Sequence, residues 1–228
     1  MALKIKVKTI ESFEDLHRFC SPRKGKIHPI FRGVKDAQSH LLIPSAGRVR
    51  LESGAKLEKY EKRIFKVFKQ SAIPYLNFRP ANDWEWLALA QHHGLPTRLL
   101  DWTYNPLVAT FFAVAHDEPC DSAIYMSTIP DTIDEAVEVD PFSVNRVIRY
   151  RPSHINSRIV AQRGLFTIHP IPTEPLLAMG IKRALIPAHI RRKLRDQLHR
   201  YGISSSVLFP GLDGLSAEIT WRYGPETE

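Results

Sequence analysis

The order of apolar and polar residues predicts a mixture of strands and helices. Residues 3–10 alternate between the two classes, which predicts a half-buried strand. Over 54–70, apolar residues recur at helical spacing opposite lysine and glutamate, which predicts an amphipathic helix. Further strands are predicted at 27–33, 122–127, 146–150 and 184–186. We expect one α+β domain with a mostly antiparallel sheet, flanked by helices.

Three helix starts have capping signatures. Ser12 followed by Asp15 resembles a capping box for a short helix. Asn82 or its neighbour Asp83 caps the next predicted helix. Asn105 before a proline at 106 is a favourable N-cap and first helical position, and the helix that follows is apolar nearly all round. We expect that last helix to be buried.

The second half of the chain shows weaker patterns. Residues 158–168 resemble a strand with a glycine in its middle. Residues 188–200 predict an amphipathic helix closed by Gly202. A Pro/Gly turn and a short helical stub are expected over 208–218. No repeat or long linker divides the chain, so we expect a single domain over 1–228.

Composition excludes several classes of protein. The chain has 228 residues, of which 43% are hydrophobic and 25% charged, and this excludes global disorder, collagen and coiled coil. No apolar stretch has the length of a membrane span, and the first residues lack the apolar core of a signal peptide. Cys20 and Cys120 are isolated, and no zinc-binding spacing occurs. We expect a cytoplasmic protein without a metal or a membrane.

The charge balance favours a polyanionic partner. The net charge is +8 and the pI is about 9.6. Residues 182–200 are rich in lysine and arginine and contain one acid. One interpretation is a solvated helix face, and the alternative, which we prefer, is contact with nucleic acid. The candidate contacts are Arg191, Arg192, Lys193 and Arg195.

Residues 91–106 hold the densest group of chemically active side chains. Two histidines, an arginine, an aspartate and an asparagine occur between two apolar helices, where a short polar connection suits a binding loop. One of His92 and His93 is expected to cap the preceding helix and the other to face a ligand. Asp101 is expected to accept backbone amides or to pair with Arg98.

Four blocks resemble the FRG domain family. They are Phe31-Arg32-Gly33, residues 86–113 (WLALAQHHGLPTRLLDWTYNPLVATFFA), residues 161–168 (AQRGLFTI) and residues 208–219 (LFPGLDGLSAEI). Their order and spacing match, and the resemblance covers about residues 25–220. The central block is highly specific, whereas the tripeptide alone would carry no weight.

The resemblance implies a fold related to the ADP-ribosyltransferases, in which a split pair of small sheets holds NAD. It also implies a toxin or phage-defence effector, with RNA as a more probable acceptor than DNA and an antitoxin protein as a possible partner. Arg32 would lie at the end of an early strand and hold a phosphate or the nicotinamide ribose. The glycine after it would let a ligand approach the backbone.

The same resemblance suggests roles for individual residues. Most such enzymes use a glutamate on a late strand, and no residue here matches that position clearly. The expected catalytic residues are Arg32, His92 and Gln162, with Glu218 and Asp101 as alternative acids. The expected NAD-binding residues are Arg32, Gln91, His93, Arg98 and Asp101.

A second hypothesis is a non-catalytic module that binds a nucleotide or nucleic acid. It is favoured because the sequence has no clear catalytic glutamate. In that case Arg32 would be a structural residue paired with Asp101. Neither a dinucleotide-binding glycine motif nor a P-loop occurs, so a nucleotide would bind in neither of those ways.

Overall fold

The computed structural model describes residues 6–21, 28–52, 56–116, 119–129, 132–133, 139–152, 157–176 and 180–224. The first residues of the predicted strands 3–10 and 27–33 and of the predicted helix 54–70 lie outside these ranges. No helix in the described ranges is long and apolar enough to cross a bilayer.

The described ranges contain eight strands and eight α-helices. The strands are β1 (Lys6–Thr9), β2 (Ile30–Val34), β3 (Leu99–Thr103), β4 (Ser122–Ser127), β5 (Thr132–Ile133), β6 (Ile148–Tyr150), β7 (Gly164–Ile168) and β8 (Lys182–Ile186). The helices are α1 (Phe13–Cys20), α2 (Leu57–Ala72), α3 (Asp83–His92), α4 (Pro106–Val114), α5 (Ser157–Ala161), α6 (Arg191–Arg200), α7 (Ser205–Leu208) and α8 (Leu212–Tyr223).

The strands form one sheet in the order β1-β8-β4-β2-β3-β7-β6-β5. The pairs β1–β8 and β5–β6, at the two edges, are parallel, and the pairs between them are antiparallel. The chain is therefore α+β, as predicted. The expectation of a split sheet is wrong, because the strands form one sheet. The expected mostly antiparallel pairing is replaced by a mixed sheet, with five antiparallel pairs between two parallel ones.

The three predicted helix caps are confirmed. The Ser12 hydroxyl accepts a hydrogen bond from the Asp15 amide at 3.1 Å. The Asn82 side chain accepts from the third residue of α3 at 3.0 Å, and Asn105 accepts from Leu107 at 2.9 Å. Each side chain satisfies an amide that the helix leaves unpaired at its N-terminus.

Two groups of helices cover one face of the sheet. Helices α1, α4, α6 and α7 pack on the half that contains β2, β4 and β8. Helices α2 and α3 pack on the half that contains β3, β6 and β7. The opposite face packs against connecting segments that include Leu42 and Leu176. The gap between the two helix groups therefore lies above β2 and β3.

Three expectations about local structure were wrong. The predicted binding loop contains β3, a central strand that is buried except at Asp101. The strand was missed because charged residues on either side of it obscure its apolar pattern. Residues 158–168 are helix α5 followed by β7, with Arg163 at a φ of 47° where the chain turns between them. The expected helical stub is the twelve-residue α8.

Candidate functional site

A cleft opens where β2 and β3 separate. These two strands share one paired position, Phe31 with Thr103, whereas each has five paired positions with its other neighbour. The cleft has a volume of about 450 Å³. We call it the central cleft; its polar lining residues are Arg32, Lys35, His40, Arg48, Gln91, His92, Asp101, Thr103, His116, Arg158 and Gln162.

Arg32 is anchored on the wall of the central cleft. Its Nη1 donates to the Asp101 carbonyl oxygen at 2.7 Å and lies 3.4 Å from the Asp101 carboxylate. Its Nε is buried and has no hydrogen-bond partner among the described residues. Burial lowers the pKa of Arg32, Asp101 raises it, and the Arg48 charge lowers it again, so the net shift is downward. A buried donor with excess positive charge nearby favours an anion.

Asp101 is held in place by a chain of side chains. Its carboxylate accepts from Gln91 Nε2 at 3.0 Å, and Gln91 Oε1 accepts from the Thr97 hydroxyl at 2.6 Å. The Thr97 amide in turn donates to Ser45 Oγ at 3.0 Å. The side chain of Asp101 is still 55% exposed, so it can contact a ligand. The sequence prediction that Asp101 pairs with Arg98 is wrong.

The two adjacent histidines differ in position. His93 is exposed at the C-cap of α3, and its amide donates to carbonyls of the last turn. His92 is half-buried and lines the central cleft. Burial lowers the pKa of His92, and the adjacent His93 lowers it further. Both effects favour the neutral form of the His92 imidazole.

Gln162 and Glu218, both candidates from the sequence, differ in their surroundings. Gln162 lines the cleft at the turn before β7, and its Nε2 donates to the Leu208 carbonyl at 3.0 Å. Glu218 lies on α8 outside the cleft and accepts from Ser204 Oγ at 2.7 Å. Burial raises the pKa of Glu218, but hydrogen bonds from Ser206, Ser204 and His199 outweigh it, and the result is about 2. Glu218 thus stabilises the start of α7.

Arg98 does not line the central cleft. It is 3% exposed and forms a two-pronged ion pair with Glu61 of α2, at 2.8 Å and 3.1 Å. Its guanidinium carbon also lies 4.7 Å from the ring centre of Phe142. With its donors used in this way, Arg98 holds α2 against the sheet and is not placed to bind NAD.

The four basic candidates on α6 fall into two pairs. Arg191 is buried and donates to the carbonyls of His116 at 2.6 Å and Cys120 at 2.9 Å, near the end of α4. Arg195 is buried, with its guanidinium carbon 4.3 Å from the ring centre of Trp221. Arg192 and Lys193 are exposed. The continuous basic helix face expected from the sequence is therefore reduced to those two residues.

The sequence analysis missed several basic residues of the central cleft. Lys35 and His40 follow β2, Arg48 ends a short 3₁₀ turn, and Arg158 lies on α5. His116 follows α4. Lys35, His40 and Arg48 come from segments with no periodic pattern, and the tertiary structure brings all five side chains to the central cleft. Asp101 is the single acid among the described lining residues.

Gly33 allows close packing of α4 on the sheet. A Cβ at this position would lie 1.8 Å from the Ala109 carbonyl oxygen and 2.7 Å from the Ala113 amide nitrogen. The missing side chain therefore lets α4 lie directly on β2. Gly33 also lines the central cleft, so the expectation that this glycine lets a ligand approach the backbone stays a prediction.

Comparison with known proteins identifies part of the chain. Searches of curated proteins and of solved structures find no match. Residues 28–122 match the family model described as FRG domain. The match includes Phe31-Arg32-Gly33 and the block at 86–113, whereas the blocks at 161–168 and 208–219 lie beyond it. Residues 28–122 of this chain are therefore similar to the FRG domain family.

Proposed function

We propose that this protein is an NAD-dependent ADP-ribosyltransferase that modifies nucleic acid, RNA in preference to DNA. The observation that carries the proposal is the composition of the central cleft. Four guanidinium or ammonium groups and three imidazoles face one carboxylate, and Arg32 presents a buried Nε with no hydrogen-bond partner in the described residues. Such a site favours a ligand with two adjacent phosphates.

The position of the cleft supports an ADP-ribosyltransferase-like fold. The resemblance implied two small sheets that hold NAD between them. Here one sheet is nearly divided at the β2–β3 boundary, with one paired position, and the cleft lies at that boundary. We propose that the two halves of this sheet correspond to the two sheets of that fold.

The lining residues suit the parts of NAD. The cleft volume of about 450 Å³ lies within the usual range for sites that bind small molecules. Arg32, Arg48 and Arg158 would bind the pyrophosphate. The exposed Asp101 carboxylate would accept hydrogen bonds from ribose hydroxyls, and Gln91 would keep it oriented.

The reaction breaks the bond between C1′ of the ribose and the nicotinamide nitrogen. Nicotinamide leaves with the bonding electron pair, and an acceptor oxygen or nitrogen forms the new bond to C1′. Asp101 would stabilise the oxocarbenium-like transition state by its charge. His92, neutral because of its lowered pKa, would take the proton that the acceptor loses.

The net charge of +8 suits a polyanionic acceptor. Modification of RNA would stop growth of the cell, which fits a cytoplasmic toxin or phage-defence effector. A neutralising antitoxin protein is then the expected partner. No metal is assigned to the reaction, and the described residues hold no group of three or more histidine, cysteine or acidic side chains that could bind one.

The test is incubation of the purified protein with NAD labelled in its adenylate half and separate RNA, DNA and protein pools. We expect label in the RNA pool and release of nicotinamide. Arg32→Ala should lower the rate by about 100-fold or more, because it removes a preorganised charged donor. Arg32→Lys should restore little of the transfer rate, since an ammonium group lacks the planar fork of a guanidinium.

Arg50→Ala is the matched control. Arg50 is an exposed arginine two residues from Arg48 and does not line the central cleft. The Arg50→Ala protein should transfer ADP-ribose at the rate of the wild type. A folded Arg32→Ala protein with unchanged transfer would disprove the role of the cleft. Label in the protein pool would show that the acceptor is protein rather than nucleic acid.

The alternative function is a nucleotide-binding module without catalysis. It is favoured by one observation: no glutamate lines the described part of the cleft, and Arg32 and Gln91 already engage the single carboxylate. In that case NAD or another nucleotide would bind, with Arg32 required, and no nicotinamide would be released.

A further inference from the structure

A second, larger groove continues from the central cleft. Its volume is about 1180 Å³, and the two share His92, Phe112, His116 and Arg158. It lies between α4, α5 and the α7–α8 segment. We call it the aromatic groove; its further lining residues include Phe111, Arg195, Phe209, Asp213, Thr220 and Trp221.

The lining of the aromatic groove alternates rings and guanidinium groups. The guanidinium carbon of Arg158 lies 4.3 Å from the ring centre of Phe209. The corresponding distance from Arg195 to Trp221 is also 4.3 Å. Phe209 meets Phe112 edge to face, with ring centres 5.9 Å apart. Flat apolar surfaces therefore adjoin positive charge along the groove.

The lining of the aromatic groove carries a net positive charge. The described lining includes two arginines, Arg158 and Arg195, but one acid, Asp213. Aromatic rings that stack bases, combined with cations that follow a backbone, are the features by which proteins bind single-stranded nucleic acid. An acidic peptide would use the cations but would leave the flat rings without a matching partner.

We propose that the aromatic groove binds single-stranded nucleic acid and delivers one nucleotide into the central cleft. Phe209 and Trp221 would stack bases, Arg158 would contact phosphates, and the buried Arg195 would hold the Trp221 ring in place. The strand would enter the central cleft beside Arg158, because this residue lines both cavities and so marks their junction. This inference rests on the proposed function for the identity of the reaction, but the binding of a strand can be measured without NAD.

Trp221 provides a direct readout. Trp84, Trp86 and Trp102 are at most 6% exposed, whereas Trp221 is half-buried in the groove wall. A base stacked on Trp221 should quench its fluorescence. We therefore propose titration of the full chain with a single-stranded RNA 12-mer of uridines, with binding followed in parallel by anisotropy of a labelled copy.

We expect Trp221→Leu to remove the quenching and to weaken binding about tenfold. Phe209→Leu should weaken binding similarly while it keeps a fluorescent Trp221. Tyr223→Leu is the matched control, because this aromatic residue on the same helix is 73% exposed and does not line the groove. Thermal melting confirms which variants are folded.

The outcomes separate this inference from the proposed function. If the strand binds with dependence on Trp221 or Phe209 but NAD is neither bound nor cleaved, the groove stands and the transferase proposal fails. If NAD is cleaved and the folded groove variants bind the strand like the wild type, the groove inference is overturned. Absence of strand binding by the wild type, with label transferred to protein, overturns it as well.

Discussion

Arg32 and Arg98 show how similar sequence signals end in different environments. Arg98 is 3% exposed and its charge is matched by Glu61, buried to the same degree. Arg32 has a side chain that is 21% exposed, an Asp101 partner at 3.4 Å and an unused Nε. The buried pair therefore serves stability, and the partly matched one remains available to a ligand. The comparison teaches that incomplete charge pairing, rather than the presence of arginine, marks the site.

The largest expected effect is on the buried ion pair. Glu61→Ala would leave the Arg98 charge buried without compensation, and we expect a loss of about 3–5 kcal/mol in the free energy of unfolding. Denaturant unfolding measures this. The control is Glu58→Ala on the same helix, whose exposed pair with Lys62 at 2.7 Å should contribute little to the free energy of unfolding.

A double variant sharpens this test. Glu61→Leu with Arg98→Met replaces both charges by apolar groups and should recover most of the lost stability. If the single and double variants are equally unstable, the effect comes from packing of α2 rather than from the unpaired charge.

The next effect concerns the close packing of α4 on β2. Gly33→Ala would place a methyl group 1.8 Å from the Ala109 carbonyl oxygen, so α4 must move. We expect a loss of about 2–3 kcal/mol, measured by thermal or denaturant unfolding. Gly164→Ala is the control, because its Cβ would meet its nearest neighbours at 3.6 Å, an ordinary contact distance. Equal stability of the two variants would contradict the close packing of α4 on β2.

A third effect depends on pH and on the buried His169. Burial, and then the positive charge of Arg32, lower the pKa of His169 from 6.5 to about 4. Because the unfolded chain takes up a proton first, stability falls as the pH drops from 6.5 towards 4. We expect about 2 kcal/mol of this loss between pH 7.5 and 5.

The His169 effect is measured from the unfolding midpoint at several pH values. His169→Gln should flatten the dependence over that range, whereas His189→Gln, at an exposed histidine, should leave it unchanged. Arg32→Ala should reduce the slope in part, since it removes one of the two causes. An unchanged slope in His169→Gln would show that another group is responsible.

The smallest effect is expected on the exposed part of α6. The double variant Arg192→Glu with Lys193→Glu should alter the free energy of unfolding by less than about 0.5 kcal/mol. It should weaken RNA binding a few-fold at low salt and reduce the slope of log affinity against log salt. An unchanged salt slope would mean that α6 makes no contribution to the attraction of the strand.

Local signals predicted much of the fold. The caps at Ser12, Asn82 and Asn105 were correct because each depends on a side chain and an amide close by in sequence. Strand β3 was missed because its residues are apolar within a motif rich in charge, and its burial depends on pairing with β7, more than sixty residues away. Sheet order rests on such distant pairs and was not predicted.

The candidate site was predicted in part for the same reason. Arg32, Gln91, His92, Asp101 and Gln162 line the cleft, and each lies within or beside a block that resembled the family. Arg98 lies within the same block but faces Glu61, and nothing in the local sequence distinguishes the two outcomes. Arg48 and Arg158 were missed because their position at the central cleft is a property of the tertiary structure.

The tripeptide Phe31-Arg32-Gly33 combines three unrelated demands in adjacent residues. Phe31 is buried in the core and pairs with Thr103, Arg32 faces the cleft, and Gly33 admits α4. In a mutational scan that scores activity alone, substitutions at all three positions would look equally damaging. A scan that also scores protein abundance should separate them: substitutions at 31 and 33 would lower the amount of protein, and those at 32 would leave inactive protein at normal levels.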